Sequence, residues 1–307
     1  MRMETTPQEV FMTAFPLVTL LLCGFLGAGP SPGEHRANVP VTIEGDAWAL
    51  HVPPSHKGPV ELHFVEKPAS VTESAAGTPL PFQYDAGTAT FDPPAPLPAE
   101  GCTIAVAWKD ERYDKDMQAF AGQDRQQPPK QGGILFVGSS TIRIWKLEEN
   151  FPGLNALNRG FGGSRYSDAV SHFQQVIVPY HPATVVIYDG DNDIAGGRSP
   201  EWVFADFEAL MRRIRFSLPE TRVIVLSIKP CPARWKLWDK MKQMNAMVGE
   251  YTRKQEKMLL LDMTAEMLDA DGNPRPELFQ KDGLHLNAQG YGTYSARLKP
   301  LLEGGGG

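Results

Sequence analysis

The sequence predicts an α/β fold: a parallel sheet with helices on both faces, preceded by a small β domain. Two observations predict the sheet. Continuous apolar runs of strand length recur along the second half of the chain, and segments of helical character lie between them. Strands of this kind are typical of a parallel sheet that is buried on both faces. The apolar runs are ILFVG (134–138), ATVVIYDG (183–190), RVIVLSI (222–228) and MLLLD (258–262).

Three helices are predicted between these strands, and a fourth follows the last strand. The first three run from Ser167 to Val178, from Ser199 to Phe216 and from about Trp235 to Lys257. The second begins with Ser199 as N-cap and a proline at the first helical position, which is a strong start signal. The final helix is predicted after Asn287 as N-cap. A short strand near 154–157 would bring the sheet to about five strands.

The β domain is predicted from residues 41 to 108, where short segments rich in Val, Ile, Thr and aromatic residues are separated by Pro and Gly. A short amphipathic helix is expected within 110–130, ended by QQPPKQGG. We therefore divide the chain into a signal peptide and linker (1–39), a β-rich accessory domain (40–109) and an α/β domain (110–303). The strand segments are 42–52, 59–66, 88–92 and 102–109.

The amino-terminal segment Ala14 to Leu26 is apolar, short and followed by small residues. This pattern is typical of the apolar region of a signal peptide and is too short for a spanning helix. Arg2 is offset by Glu4 and Glu9, so a retained N-terminal anchor is the alternative. We expect export to the periplasm or the outside of the cell.

Composition narrows the partners and cofactors. The formal net charge of −6 argues against nucleic acid, which needs a concentrated basic surface. The three cysteines form no CxxC pair and have no zinc spacing. We favour two free thiols at Cys102 and Cys231 over a disulfide between them. His51, His56 and His63 are interpreted as surface residues, because no carboxylate or thiol near them has metal-ligand spacing. No metal or organic cofactor is expected.

Four short motifs fall at predicted strand ends or in a late loop. In such sheets the ligand site lies beyond the carboxyl ends of the strands. Any one of these motifs is common on its own, whereas all four in order are not. They are GSST (138–141), NRGFGGS (158–164), GDND (190–193) and DGLH (282–285).

These motifs contain the groups that nucleophilic acyl transfer needs. Ser140 offers a hydroxyl at a strand-to-helix turn, His285 a base, and Asp282 a carboxylate that orients the base. A developing oxyanion needs donors that are already in place. Gly163 would let a backbone N–H approach closely, Asn192 offers a side-chain amide, and the Ser140 N–H is a third donor.

The same motifs resemble those of the SGNH hydrolases, also called GDSL esterases or lipases, and within them the branch similar to platelet-activating factor acetylhydrolase. The resemblance covers residues 110–302. It implies a flavodoxin-like parallel sheet with the site at the strand ends. The matching phrases are FVGSSTIRIW, NRGFGGSRYSD, YDGDNDIAGG, SIKPCPARW and DGLHLNAQGY.

By this resemblance the family's catalytic serine falls on Ser140, and the catalytic Asp and His fall on Asp282 and His285. The oxyanion-hole glycine and asparagine fall on Gly163 and Asn192. The family's GDS signature departs here to GSS, with Ser139 in place of Asp. This departure leaves open how the turn is held, and it makes Ser139 a rival nucleophile.

Two other mechanisms are disfavoured by spacing. The nucleophile elbow G-x-S-x-G of α/β-hydrolases does not fit Ser140 or Ser164. A phosphate-cradling loop at 138–141 lacks the lysine of GK[ST].

Several large side chains near the motifs have two interpretations. Arg143, Arg159 and Arg165 would either hold an anionic or sugar hydroxyl group, or pair on the surface with Asp168 or Glu148, and we favour pairing. Trp235 and Trp238 would either line a substrate cleft or pack on the buried face of the following helix, and neither is favoured.

The sequence therefore predicts a serine-dependent carboxylic ester hydrolase that acts on short acyl esters, especially acetyl groups, including those on carbohydrate. A lysophospholipase or thioesterase is the enzymatic alternative. A binding protein with an idle hydrolase domain is the alternative from another class. The expected partners are small-molecule or carbohydrate esters, and no stable membrane span is expected.

Overall fold

The structure is a computed structural model, and it describes residues 37–304 except 45–46, 64, 66–67, 86 and 108–111. The predicted signal peptide falls on residues outside this part of the chain. Within the described residues, no helix has both the length and the apolar character needed to cross a membrane.

The central sheet has five parallel strands, which confirms the predicted fold class. Its spatial order is β10-β9-β11-β12-β13, so the chain begins near one edge, turns back once and then proceeds to the other edge. Each of β9, β11 and β12 has one half-buried residue followed by four buried ones. The strands are β9 Ile134–Gly138, β10 Ala156–Gly160, β11 Thr184–Tyr188, β12 Arg222–Leu226 and β13 Met258–Leu261.

Two hydrophobic clusters cover the two faces of this sheet, because alternate side chains of each strand point to opposite faces. Val185 and Val223 face a cluster with α1, α4, α5, α7 and α8. Val186 and Ile224 face a cluster with α2, α3, α9 and α10. The helices are α1 Asp114–Gln126, α2 Ser140–Arg143, α3 Leu147–Asn150, α4 Tyr166–Ser171, α5 Phe173–Val176, α6 Asp191–Ala195, α7 Pro200–Ser217, α8 Trp238–Arg253, α9 Thr264–Met267 and α10 Ala288–Glu303.

Two helix starts lie where the sequence signals place them. Ser199 caps α7 by accepting a hydrogen bond from the Trp202 N–H, and Asn287 caps α10 by accepting from the N–H groups of Gln289 and Gly290. The single helix predicted from 167 to 178 is wrong. It is broken into α4, α5 and a 3₁₀ turn at Val178–Tyr180, because His172 leaves helical geometry and the turn contains a proline, which cannot donate to the helix ladder. Two further 3₁₀ turns lie at Pro232–Leu237 and Pro276–Leu278.

The described part of the β region forms two antiparallel sheets, ordered β1-β2-β8-β4-β5 and β3-β7-β6. Its core, with Leu50, Leu62 and Ile104 fully buried, shares no residue with the two clusters of the parallel sheet. The strands β4 to β6 were not predicted. The strands are β1 Val41–Glu44, β2 Ala47–Val52, β3 Val60–His63, β4 Ser70–Glu73, β5 Thr78–Pro79, β6 Phe82–Asp85, β7 Thr88–Phe91 and β8 Cys102–Ala107.

The β region touches helix α7 through the turn between β6 and β7. Gly87 is buried there with φ +86°, and a Cβ at this position would overlap the ring of Trp202. Only glycine therefore fits both the backbone conformation and the close approach. The two described cysteines are free thiols: Cys102 is half-buried in β8, and Cys231 is buried in the α/β region.

Candidate active site

The turn after β9 presents Ser140 as the first residue of the short helix α2. Gly138, the last residue of β9, has φ +137°, and a Cβ there would overlap the Tyr188 carbonyl oxygen of the neighbouring strand. The Ser139 N–H donates to that same carbonyl (3.0 Å). The glycine thus lets the chain turn sharply against β11 and leaves Ser140 half-buried at the carboxyl edge of the sheet.

The structure brings Ser140, His285 and Asp282 into one chain of hydrogen bonds. Ser140 Oγ lies 3.0 Å from His285 Nε2, and His285 Nδ1 lies 2.6 Å from Asp282 Oδ2. The other oxygen of Asp282 accepts from the N–H groups of Leu284 and His285, at 2.9 and 3.0 Å. The loop before α10 therefore fixes the carboxylate and the imidazole relative to each other.

Asp282 is strongly biased toward its ionised form. The hydrogen bond from His285 and those from the Leu284 and His285 N–H groups lower its pKa to about 2. An ionised Asp282 accepts from the Nδ1–H of His285 and so leaves Nε2 as the acceptor that faces Ser140.

Ser139 is placed differently from Ser140. It is 1% exposed, and within the described residues its Oγ has no hydrogen-bond partner. The GSST turn, which has Ser139 where the family has Asp, is instead held through contacts to Thr141. Tyr291 donates to the Thr141 carbonyl (2.7 Å), and Lys229 Nζ donates to Thr141 Oγ1 (3.0 Å).

The three predicted oxyanion donors are the Ser140 N–H and two groups on the turns after the neighbouring strands β10 and β11. Gly163 is exposed with φ +84°, a conformation that favours glycine. Over the described stretches of the chain, neither the Ser140 N–H nor the Gly163 N–H donates to another protein group. Asn192, in α6, donates from Nδ2 to the Ser164 carbonyl (3.0 Å). Both backbone donors are therefore free to bind an oxyanion.

A buried charged network under these turns was missed by the sequence analysis. Lys229 is 1% exposed; its Nζ lies 2.9 Å from the Tyr188 hydroxyl and 3.4 Å from Asp191 Oδ2. Arg234 also contacts Asp191 Oδ2 (3.0 Å) and donates to Asn192 Oδ1 (2.8 Å). Burial opposes ionisation of Asp191, but the two cations outweigh it and lower its pKa. The sequence feature that could have indicated this network is Lys229 itself, a lysine directly after the apolar run RVIVLSI (222–228).

Two further carboxyl groups are buried beside the site. Asp189 is 0% exposed and accepts from the Ser164 hydroxyl (2.9 Å). Burial and the nearby Asp193 raise its pKa well above the ordinary value. Burial also raises the pKa of Asp193 to about 7, although Arg198 lies 2.9 Å away and opposes the shift.

Of the three arginines near the motifs, Arg159 pairs away from the site, with Asp124 and with the Tyr180 hydroxyl (2.7 Å). The guanidinium of Arg165 packs against Gly196, and that of Arg143, which is exposed, packs against Gly162. The favoured pairing of Arg143 with Asp168 or Glu148 is wrong within the described residues, where its guanidinium has no ion pair.

Trp238 is buried in the core below α8, and Trp235 is half-buried and stacks on it with ring centroids 6.0 Å apart. The packing interpretation therefore holds for Trp238. In the part of the chain that is described, no group of three or more His, Cys, Asp or Glu side chains is arranged to hold a metal ion.

Comparison with known proteins agrees with this fold. Residues 144–292 match the model of the GDSL-like lipase/acylhydrolase family. The chain carries a hydrolase domain of this family. It is thus an enzyme of a family that hydrolyses esters.

A chicken (Gallus gallus) relative, platelet-activating factor acetylhydrolase IB subunit alpha2, is 29% identical over 206 residues, which are 63% of this chain and 83% of the relative. A GDSL-like lipase from Bacteroides thetaiotaomicron superposes with a TM-score of 0.55 at 21% identity, covering 61% of this chain and 97% of that one. A Streptococcus pneumonia protein described as a candidate platelet activating factor gives 0.57 at 21% identity, covering 62% and 93%. These two structures bear on the fold alone.

Proposed function

We propose that this GDSL-type enzyme hydrolyses carboxylic esters through an acyl-enzyme on Ser140, with His285 as base and Asp282 as its orienting carboxylate. One observation carries the proposal: the continuous hydrogen-bonded chain from Ser140 Oγ through His285 to Asp282. A serine hydroxyl is a weak nucleophile, and a base held in this way is what activates it.

The reaction follows from these contacts. Ser140 Oγ attacks the carbonyl carbon of the ester while its proton passes to His285 Nε2, and the C=O π electrons move to the oxygen. This oxyanion accepts from the Ser140 and Gly163 N–H groups and from Asn192 Nδ2. When the tetrahedral intermediate collapses, the bond to the alcohol oxygen breaks and His285 returns the proton to that oxygen. Water then repeats the sequence on the acyl-enzyme and releases the acid and free Ser140.

Ser140 is the proposed nucleophile rather than Ser139. The Ser140 hydroxyl faces His285, whereas the Ser139 hydroxyl is buried in the turn. The test is labelling by a fluorophosphonate probe, which reacts with an activated serine. We expect Ser140→Ala to lose labelling and esterase activity, and Ser139→Ala to keep both. Labelling that persists in Ser140→Ala and disappears in Ser139→Ala would move the nucleophile back by one residue.

The proposed substrates are short acyl esters, above all acetyl esters, including those of carbohydrates. The name of the chicken relative, an acetylhydrolase, supports the short acyl group. Export, proposed from the apolar segment Ala14 to Leu26, would place the enzyme where polymeric carbohydrates are found. Lysophospholipids and thioesters are the alternative substrates. The idle-domain alternative is disfavoured, because all five proposed catalytic and oxyanion residues are present.

A panel of p-nitrophenyl esters of increasing acyl length, run beside acetylated oligosaccharides, tests the substrate. We expect kcat/KM to be highest for acetate and to fall with chain length. A maximum at long acyl chains would favour the lipid hydrolase instead. Absence of hydrolysis with every ester, together with absence of fluorophosphonate labelling, would favour a binding protein.

A further inference from the structure

The side-chain amide of Asn192 is held at both ends. Arg234 donates to Oδ1 at 2.8 Å, and Nδ2 donates to the Ser164 carbonyl at 3.0 Å. A guanidinium can only donate, so the end of the amide that faces Arg234 has to be the oxygen. The NH₂ end therefore faces the turn that contains Gly163 and Ser164. Of its two N–H groups, one binds the Ser164 carbonyl and the other remains for an oxyanion.

Arg234 is itself fixed by a buried carboxylate. Its NH1 lies 3.0 Å from Asp191 Oδ2, and 17% of its side chain is exposed. Asp191 is held in turn by the Tyr188 hydroxyl at 3.2 Å and by Lys229 Nζ at 3.4 Å. A planar group that forms an ion pair with a carboxylate through one nitrogen and hydrogen-bonds an amide oxygen through another is a property of arginine that lysine lacks.

The same network reaches the nucleophile turn. Lys229 Nζ donates to Thr141 Oγ1, and Thr141 directly follows Ser140. The network thus links the turn that carries the Ser140 N–H to the side chain that carries the amide donor. It contains two cations, Lys229 and Arg234, and one carboxylate, Asp191, so it has an excess of one positive charge.

We propose that Arg234, paired with Asp191, is a positioning residue that orients the Asn192 amide toward the oxyanion. The proposal rests on the ester hydrolysis proposed above. Arg234 itself does not touch the reacting atoms in this arrangement. Its effect on kcat passes through Asn192. An experiment can therefore distinguish this effect from a general effect of the substitution on folding.

Kinetics of Arg234→Gln with p-nitrophenyl acetate provide the first measurement. We expect kcat to fall about 10- to 100-fold with a much smaller change in KM, because the oxyanion contact is made mainly in the transition state. Arg234→Lys keeps the charge and loses the planar group, so we expect it to remain well below the wild type. Arg253→Gln, which removes an exposed arginine of α8, is the matched control and should leave kcat unchanged.

A double-mutant cycle with Asn192→Ala decides the route. If Arg234 acts through Asn192, then Arg234→Gln in the Asn192→Ala background lowers kcat by less than about twofold further. Losses that multiply, or full activity in Arg234→Lys, would overturn the proposal. Should Arg234→Gln fail to fold by circular dichroism, the cycle is run with Arg234→Lys. Failure of the proposed function is recognised separately, because full activity in Ser140→Ala would reject that function whatever Arg234 does.

Discussion

The two sheet-forming regions of this chain bury their strands in different ways. In the α/β region, strands such as β11 Thr184–Tyr188 are buried almost throughout, since helices cover both faces of the sheet. In the β region, strands such as β3 Val60–His63 and β7 Thr88–Phe91 alternate between buried and half-buried residues, since only one face meets a core. Continuous apolar runs in the sequence therefore indicate the strands of the α/β region, and alternating runs indicate the strands of the β region.

The difference also separates chemistry from scaffold. The parallel strands end at one common edge, and Ser140, Gly163 and Asn192 lie on the turns that leave it. The antiparallel strands of the β region end at alternate edges, so no single edge gathers their loops, and none of the four motifs lies there. The proposed catalytic residues are therefore gathered where the parallel strands end together, and the predictions below test how far the two regions are independent.

The largest expected effect is at the carboxyl edge of the parallel sheet. We expect Asn192→Ala to lower kcat for p-nitrophenyl acetate by about two to three orders of magnitude, with a smaller change in KM, because it removes a proposed donor to the oxyanion. Asn155→Ala, an exposed asparagine just before β10 at the opposite edge, is the control and should leave kcat unchanged. Equal kcat values for the two variants would remove Asn192 from the mechanism.

Much of the α/β region could be predicted because its signals are local. The strand β9 and the caps Ser199 and Asn287 lie where the apolar runs and capping residues indicate. The strands β4 to β6 were missed because they are two to four residues long and largely polar, so they form only through pairing with distant strands. Such pairing leaves little trace in a local window of sequence.

The candidate site divides in the same way. The resemblance to a known family indicated Ser140, Asp282 and His285, and the structure brings them together. Lys229 and Arg234 were missed because their meaning depends on contacts with Asp191 and Asn192, about 40 residues earlier in the chain. Nothing in a single sequence tells a buried lysine from an exposed one until the fold places it.

The contact between the two regions gives the next effect, on stability. Gly87 and Gly58 have nearly the same φ, +86° and +85°, but a Cβ at Gly87 would overlap Trp202, whereas one at Gly58 would meet open space. We expect Gly58→Ala to lower the free energy of unfolding by about 1 kcal/mol through backbone strain alone. Gly87→Ala should lose about 1–3 kcal/mol more, from overpacking.

Denaturant unfolding of the two glycine variants, with and without Trp202→Ala, measures this difference. Removal of the Trp202 ring should make the two glycine variants equally stable relative to their parents. If Gly87→Ala is no less stable than Gly58→Ala in the wild-type background, the β region does not depend on this contact, and the independence of the two regions is greater than the structure indicates.

A smaller effect is expected from the buried carboxyl at the end of β11, and it depends on pH. Burial, and then Asp193, raise the pKa of Asp189 well above its ordinary value of 3.8. At pH values between the ordinary pKa of the unfolded chain and the raised pKa of the folded chain, Asp189 keeps its proton only in the folded state. The free energy of unfolding of the wild type therefore falls as pH rises through this window. Asp189→Asn keeps an acceptor for the Ser164 hydroxyl and has no proton to lose.

We therefore expect Asp189→Asn to match the wild type near pH 4 and to become the more stable of the two as pH rises. The difference should grow by up to about 1.4 kcal/mol per pH unit within the window. Melting temperatures from pH 4 to pH 8 measure it, with the exposed Asp271→Asn as control. A difference that stays constant over this range would mean that Asp189 is ionised in the folded protein.

The smallest effect is expected on the hydrolysis of small soluble esters when the β region is removed altogether. Its core shares no residue with the two clusters of the parallel sheet, and Met117 in α1 packs on the parallel sheet's side. A chain that starts at Glu111 keeps α1, all five parallel strands and every proposed site residue. Domains with separate cores can fold alone. We expect this shortened chain to hydrolyse p-nitrophenyl acetate with kcat/KM within about twofold of the full-length protein, and its melting temperature to change little.

On polymeric acetylated carbohydrate we expect a larger loss, because an accessory module would raise the effective concentration of enzyme at the polymer. Removal of the β region uncovers the ring of Trp202, which Gly87 contacts in the full-length chain. Trp202→Ala in the full-length chain is therefore the control for loss of this contact alone. Aggregation of the shortened chain, with Trp202→Ala remaining soluble and active, would show that the two regions form one cooperative unit.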